Sequence, residues 1–149
     1  MNTTYISALN SKKKNWFLID CKEQNLGRLS SIVISLLTGK FKPYYFPSLD
    51  IGDYVILINV NFLIINPKME HFYVFSPGRP GHSLKKLFDP IPKQIVETCI
   101  RSMISEHNLK NKLTKRLKVY TNSNHPHQAQ NPIQLNFKQL ETKTFHNIF

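Results

Sequence analysis

The feature that most constrains the fold of this chain is a buried-strand pattern followed directly by an amphipathic-helix pattern. Trp16-Phe17-Leu18-Ile19 is an uninterrupted apolar run of the kind found in parallel strands covered on both faces, and Asp20 ends it. Apolar residues then recur at three- and four-residue spacing from Leu26 to Leu37, with Asn25 placed to cap the helix and Gly39 to stop it. A strand followed by a helix opens a βαβ unit.

Later segments continue this alternation. The predicted elements are a second buried strand over Tyr54–Ile58, an aromatic and β-branched strand over His71–Phe75, a helix from Pro92 to Ile104, a shorter helix marked by Leu109, Leu113 and Leu117, and a return to the sheet at Lys118–Tyr120. Strands that alternate with helices imply a mostly parallel sheet with helices on its two faces.

The domain organisation predicted from length and polarity is simple. A chain of 149 residues is about the size of one compact domain. Residues 1–15 are polar, end in lysines and read as a basic arm, 16–121 hold the α/β domain, and 122–149 form a polar, proline-containing surface tail.

The charge of the chain points to a polyanionic partner. Lys and Arg number 20 against 9 Asp and Glu, which leaves a net charge of +11 and a field that attracts nucleic acid. A membrane partner is disfavoured because no long amphipathic helix is evident and the longest apolar segment, Tyr54 to Ile65, is too short to cross a bilayer. The N-terminus shows neither a secretory signal nor an Arg-rich transit peptide.

Cations gather in a few segments, as phosphate neutralisation requires. These segments are Lys12 to Lys14, Lys40 with Lys42, Arg79 through Lys85 and Lys86, and Arg101 through Lys118. The aromatic run Tyr44-Tyr45-Phe46 suits either stacking on unpaired bases or burial against the sheet.

Signatures of enzymes and metal sites are weak. Asn25-Leu26-Gly27-Arg28 has one glycine where nucleotide-binding loops need two or three. Asp50 and Asp53 are interpreted as turn residues rather than metal ligands. His125 and His127 lack a third ligand nearby and suit contact with phosphate or a base. Cys21 and Cys99 are interpreted as buried reduced thiols.

Several segments, in order along nearly the whole chain, share the pattern of one protein family. They are Thr4-Tyr5-Ile6, Trp16–Asp20, Leu26–Leu29, Gly39–Pro43 with Tyr45, Pro47 and Asp50, Gly52–Val55, Leu117–Tyr120 and His125–Gln130. In these segments the sequence resembles the family of large-subunit ribosomal protein thirteen, in its cyanobacterial and plastid branch. Arg79, Arg101 and Lys118 also match the family's pattern.

The resemblance implies a three-layer α/β/α fold with a four-stranded, mainly parallel sheet and extended arms at both termini. It implies early binding to large-subunit ribosomal RNA, neighbouring ribosomal proteins such as three, twenty and twenty-one, and no catalytic residue, cofactor or metal. Location in plastid ribosomes is expected, with a mitochondrion or a bacterial cytoplasm as alternatives. Rival functions are an RNA-modifying enzyme and an extraribosomal regulator that binds messenger RNA. The residues predicted to contact RNA are Lys12, Lys13, Lys14, Arg28, Lys40, Lys42, Tyr45, Arg79, Lys85, Lys86, Arg101, Lys110, Lys112, Lys115, Arg116, Lys118, His125 and His127.

Overall fold

The architecture was read from a computed structural model, which describes residues 14–47, 49–64, 92–104 and 109–135 and the backbone of two short strands at 71–73 and 84–86. Its elements, in chain order, are β1 (Trp16–Asp20), α1 (Leu26–Thr38), β2 (Tyr54–Ile58), a 3-10 helix (Val60–Phe62), β3 (His71–Tyr73), β4 (Leu84–Lys86), α2 (Pro92–Met103), α3 (Lys110–Arg116), β5 (Leu117–Val119), a second 3-10 helix (Gln128–Gln130) and β6 (Ile133–Leu135).

Four of these strands form one parallel sheet in the order β5-β2-β1-β6, and β3 pairs with β4 in a separate antiparallel hairpin. Phe17 of β1 lies opposite Val55 of β2 on one side and Ile133 of β6 on the other. The predicted α/β class and the four-stranded sheet are confirmed. The sheet is parallel throughout, as expected for strands connected by helices.

The main core lies on one face of this sheet. Alternate strand residues point to that face, because side chains in a strand alternate between the two sides. The core is formed by these alternate residues with the inner sides of the three helices, and includes Phe17, Ile19, Val55, Leu57, Leu117, Val119, Leu135, Leu29, Val33, Leu36, Val96, Ile100 and Leu113. The apolar periodicity of the helices therefore predicted the buried side correctly, except that Met103 is 46% exposed at the end of α2.

The ends of α1 follow the predicted caps. The Asn25 side chain accepts a hydrogen bond from the Gly27 N–H. Gly39 has a φ of 80°, and its N–H donates to Ser35 and Leu36 carbonyls. Such a left-handed position favours glycine, because a side chain there would be strained.

The polar tail contains a strand that the sequence analysis did not predict. We expected residues 122–149 to lie on the surface, but Ile133–Leu135 pairs with β1 and Leu135 is 6% exposed. The strand was missed because it is three residues long and follows Pro132, which is tolerated at the start of an edge strand. The residues of this tail after 135 lie outside the described part of the chain.

Residues 120–132 lead from β5 at one edge of the sheet to β6 at the other. Tyr120 N–H donates to Leu57 O at 2.8 Å, and the His127 ring lies 5.1 Å from the Trp16 ring. Trp16 points away from the helices, since its neighbour Phe17 points toward them. This segment, with its 3-10 helix, therefore lies on the second face and completes three layers.

Both cysteines are free, and Cys21 is fully buried while Cys99 is partly exposed. Burial, together with the nearby Asp20 carboxylate, raises the pKa of the Cys21 thiol to about 12.

No helix among the described residues has the length and apolarity needed to cross a membrane.

Candidate RNA-binding surfaces

Two of the predicted RNA-contacting cations are buried inside the protein, around the loop Asp50–Asp53. Lys42 Nζ lies 2.7 Å from Asp53 Oδ1 and donates to the Ile51 carbonyl oxygen at 2.9 Å. Both charged side chains are 1% exposed. The ammonium group of Lys42 is therefore used within the fold, and its predicted contact with RNA stays a prediction.

Arg116 is the second buried cation. Its Nη2 pairs with Asp50, its Nη1 donates to the Gly52 carbonyl oxygen at 3.1 Å, and its guanidinium lies 6.0 Å from the centre of the Tyr54 ring. We predicted that the cations of α3 face outward, but this side chain is 7% exposed. Its position at the end of α3 turns it inward, and it joins α3 to the 50–53 loop.

Lys14 completes this group of cations. Its Nζ lies 3.2 Å from Asp50 Oδ2 and the side chain is 22% exposed, so its charge is partly used within the protein. The neighbouring Asn15 N–H donates to Asp53 Oδ1 at 2.9 Å. Asp50 and Asp53 thus act as structural acceptors, as the sequence analysis proposed. No group of three potential metal ligands is found in the part of the chain that the structure describes.

The Asp50 ion pairs predict a pH dependence of stability. Burial alone would raise the pKa of the Asp50 carboxyl, but its hydrogen bonds and charge interactions with Arg116 and Lys14 outweigh this and hold the pKa below its ordinary value of 3.8. A carboxyl whose pKa is lower in the folded state stabilises the protein above its unfolded pKa, and this contribution is lost as the pH falls through the folded value.

We therefore expect Asp50→Asn to lower the unfolding temperature at pH 7 and to have progressively less effect as the pH falls below 3.8, because the contribution of the wild-type carboxylate is lost as it becomes protonated. Thermal unfolding of both proteins between pH 2.5 and 7 measures this. An equal loss at every pH would show that the charge of Asp50 is not what stabilises the fold.

Five of the predicted cations are exposed: Arg28, Lys40, Arg101, Lys112 and Lys115. Lys110 and Lys118 are half-buried. The side chains of Lys12, Lys13, Arg79, Lys85 and Lys86 lie outside the described residues, so their predicted contacts stay predictions.

The exposed cations do not form a single group. Lys40 follows α1 and is next to Gly39, whose Cα lies close to the backbone of Gly52. The Gly52 carbonyl oxygen accepts a hydrogen bond from Arg116, at the end of α3. Lys40 and the α3 lysines Lys112 and Lys115 therefore share the end of the sheet at which the strands begin; we call them the basic end. Arg28 lies in the first turn of α1, and a rise of 1.5 Å per residue places it about 18 Å from Lys40 along the helix axis.

The second face of the sheet carries a cluster of aromatic and imidazole rings. The Trp16 and Tyr54 rings stack with centroids 4.3 Å apart and planes 7° apart. The Tyr120 hydroxyl and His127 Nε2 are 2.9 Å apart. We call this cluster, with Lys118 and His125, the imidazole face; its residues are Trp16, Tyr54, Lys118, Tyr120, His125 and His127.

Sequence reasoning found the two histidines and Lys118 but missed the three aromatic rings. Trp16 and Tyr54 each open a strand and occupy paired positions, so their shared register is the signal that could have found them. Among the aromatic residues that were predicted, Tyr45 is half-buried and Phe46 is 47% exposed.

The fold and these surfaces define a small basic α/β protein with the charged and aromatic groups that nucleic-acid binding uses. Comparison with known sequences gives the family. The family profile described as Ribosomal protein L13 matches residues 14–126. The chain belongs to the ribosomal protein L13 family.

Curated relatives agree with this assignment along almost the full length of the chain. A protein named large ribosomal subunit protein uL13c, from Trieres chinensis, is 48% identical over 135 residues, covering 91% of this chain and 97% of its own. Large ribosomal subunit protein uL13 of Prochlorococcus marinus subsp. pastoris is 39% identical over 142 residues, covering 91% and 99%. The uL13 protein of a Cyanothece species is 37% identical over 146 residues, covering 94% and 98%.

Proposed function

We propose that this protein is a structural component of the large subunit of a plastid ribosome, with no catalytic role, and that it binds large-subunit ribosomal RNA. The observation that carries the proposal is the match to relatives named as large ribosomal subunit proteins over nine-tenths of the chain. The plastid assignment rests on the relative named uL13c together with the cyanobacterial relatives.

The RNA contacts that we propose are phosphate contacts made by exposed cations. The basic end supplies Lys40, Lys112 and Lys115, and Arg28 and Arg101 supply further charges on the surface. Lys42 and Arg116 are left out, because carboxylates inside the protein already neutralise them. Phosphate contacts fix position and orientation without reading sequence, which suits a protein that stabilises an RNA fold.

We further propose that binding occurs early in assembly, beside ribosomal proteins three, twenty and twenty-one.

Fractionation of organellar ribosomes on a density gradient tests whether the protein is a component of the large subunit. The protein is expected in the large-subunit fraction of plastids. Recovery only with messenger RNA or with free protein would contradict the proposed function.

Reversing two charges of the basic end tests the proposed RNA contact. The double variant Lys112→Glu, Lys115→Glu is expected to lower affinity for transcribed large-subunit ribosomal RNA by at least tenfold at ~0.15 M salt, because two phosphate contacts are lost. Each lost contact also reduces the slope of log affinity against log salt concentration by about one. Both side chains are exposed, so the free energy of unfolding should change by no more than about 1 kcal/mol. Filter binding over a salt series and thermal unfolding measure the two effects.

The matched control is Lys22→Glu, Lys93→Glu, which changes the net charge equally at two exposed positions away from the basic end. It should weaken binding far less. If both double variants lose the same affinity, the basic end is not a specific contact and only the total charge matters.

A further inference from the structure

The imidazole face gathers positive and titratable groups, and no carboxylate among the described residues is one of the charges that shift the pKa of His127. Lys118 and His125 are the charged groups that act on His127, while Trp16 of β1 and Tyr120 after β5 contact its ring. Asp20 is the carboxylate of β1 on this face of the sheet, and its Oδ1 is already engaged by Asn59 Nδ2 at 3.0 Å and Lys22 N–H at 3.1 Å. Arg116, whose guanidinium lies 6.0 Å from the centre of the Tyr54 ring, is paired with Asp50. Among the described residues, both of these carboxylates are therefore already bound within the fold.

Burial, followed by the charges of Lys118 and His125, lowers the pKa of His127 below its ordinary value of 6.5. The free protein consequently holds this ring neutral at neutral pH. An anion placed among Lys118, His125 and His127 would raise the pKa of His127 again, because a nearby negative charge favours the protonated imidazole.

Local bonding permits this change of charge. The Tyr120 hydroxyl can donate to a neutral Nε2 or accept from a protonated one, so the 2.9 Å contact survives protonation. His125 Nδ1 is buried without a hydrogen-bond partner among the described residues. A buried polar atom of this kind is one that a ligand or an ordered water would satisfy.

We infer that the imidazole face is a second RNA contact, in which Lys118, His125 and His127 bind a backbone phosphate and an imidazole takes up a proton from solvent as the phosphate arrives. The stacked Trp16 and Tyr54 rings support the imidazole from one side. This inference rests on the proposed function and adds to it a chemically distinct site, since imidazoles, and not ammonium groups alone, would contact the phosphate.

The test is the pH dependence of binding by the full-length protein to transcribed large-subunit ribosomal RNA at constant ionic strength. When RNA binding takes up one proton, the affinity falls by up to ~tenfold for each unit rise in pH. This holds between the pKa of the histidine in the free protein and its pKa in the complex. We expect a decline of this kind between pH 6 and 8. Calorimetry in two buffers of different ionisation enthalpy should show net proton uptake by the wild-type protein, which needs no variant.

The double variant His125→Gln, His127→Gln should bind with an affinity that changes little between pH 6 and 8 and should match the wild type most closely at pH 8. The matched control is His71→Gln, in the separate β3–β4 hairpin, which should keep the wild-type pH dependence. Unfolding temperatures show whether each variant is folded.

Salt-dependent binding with no pH dependence and no proton uptake overturns this inference and leaves the proposed function standing. A pH dependence that persists in the double variant also overturns it, because the proton then binds elsewhere. Absence of salt-dependent binding at every pH overturns the proposed function as well.

Discussion

Replacing Gly52 by alanine is expected to destabilise the protein by at least about 3 kcal/mol, a large part of the typical stability of a domain. A Cβ at this position would lie 1.5 Å from the Leu37 carbonyl oxygen and 2.5 Å from the Leu37 carbonyl carbon. Both atoms belong to the backbone of α1, so no side-chain rotation relieves the overlap. The last turn of α1 and the 50–53 loop would have to separate, which would also disturb the bond from Arg116 to the Gly52 oxygen.

Urea or thermal unfolding of Gly52→Ala measures this effect, and Gly27→Ala is the matched control. Among the described residues, a Cβ on Gly27 would meet only the Asn25 side chain, at 4.0 Å. Because alanine favours a helix more than glycine does, the control should be stabilised by up to about 1 kcal/mol. Equal stabilities for the two variants would contradict the close packing of the loop on α1.

Removing one partner of the Lys42–Asp53 pair is expected to cost about 3 to 5 kcal/mol, since the other charge is left buried. In Lys42→Met the Asp53 carboxylate keeps its bond from the Asn15 N–H but loses the ammonium group. In Asp53→Asn the ammonium keeps the Ile51 carbonyl but loses its counter-charge. The free energies of unfolding of both variants, from denaturant titration, give the two costs.

The double variant Lys42→Met, Asp53→Asn completes a double-mutant cycle, in which the free energies of unfolding of the wild type, the two single variants and the double variant are compared. It should be more stable than the sum of the two losses predicts, because neither charge is then left buried alone. RNA affinity per folded molecule should stay close to that of the wild type. A double variant that folds well but binds RNA much more weakly would restore Lys42 as an RNA contact.

Local pattern predicted the parts of the fold that depend on neighbouring residues. The apolar run at Trp16–Ile19, the cap at Asn25 and the stop at Gly39 are each decided within a few positions, and the structure confirms all three. The short helix α3 was predicted from the spacing of Leu109, Leu113 and Leu117. The structure places it at Lys110–Arg116, with Leu109 as its N-cap and Leu117 as the first residue of β5.

The roles of individual cations could not be predicted in the same way. Lys42 and Lys40 look alike in the sequence, yet Lys42 is buried against Asp53, 11 positions away, and Lys40 is exposed. The carboxylate that neutralises Arg116 lies 66 positions from it. Pairings over such distances depend on the folded topology, so charge clustering alone overestimates the surface available to RNA.

The position of β6 has a consequence for how the protein is made. β1 lies inside the sheet, between β2 and β6, but β6 is formed by residues near the other end of the chain. While the polypeptide is being synthesised, the hydrogen-bonding edge of β1 stays open until residue 135 has left the exit tunnel. An open strand edge is a site of aggregation. This edge of β1 is thus open to chaperones and to mispairing until β6 has emerged and paired with it.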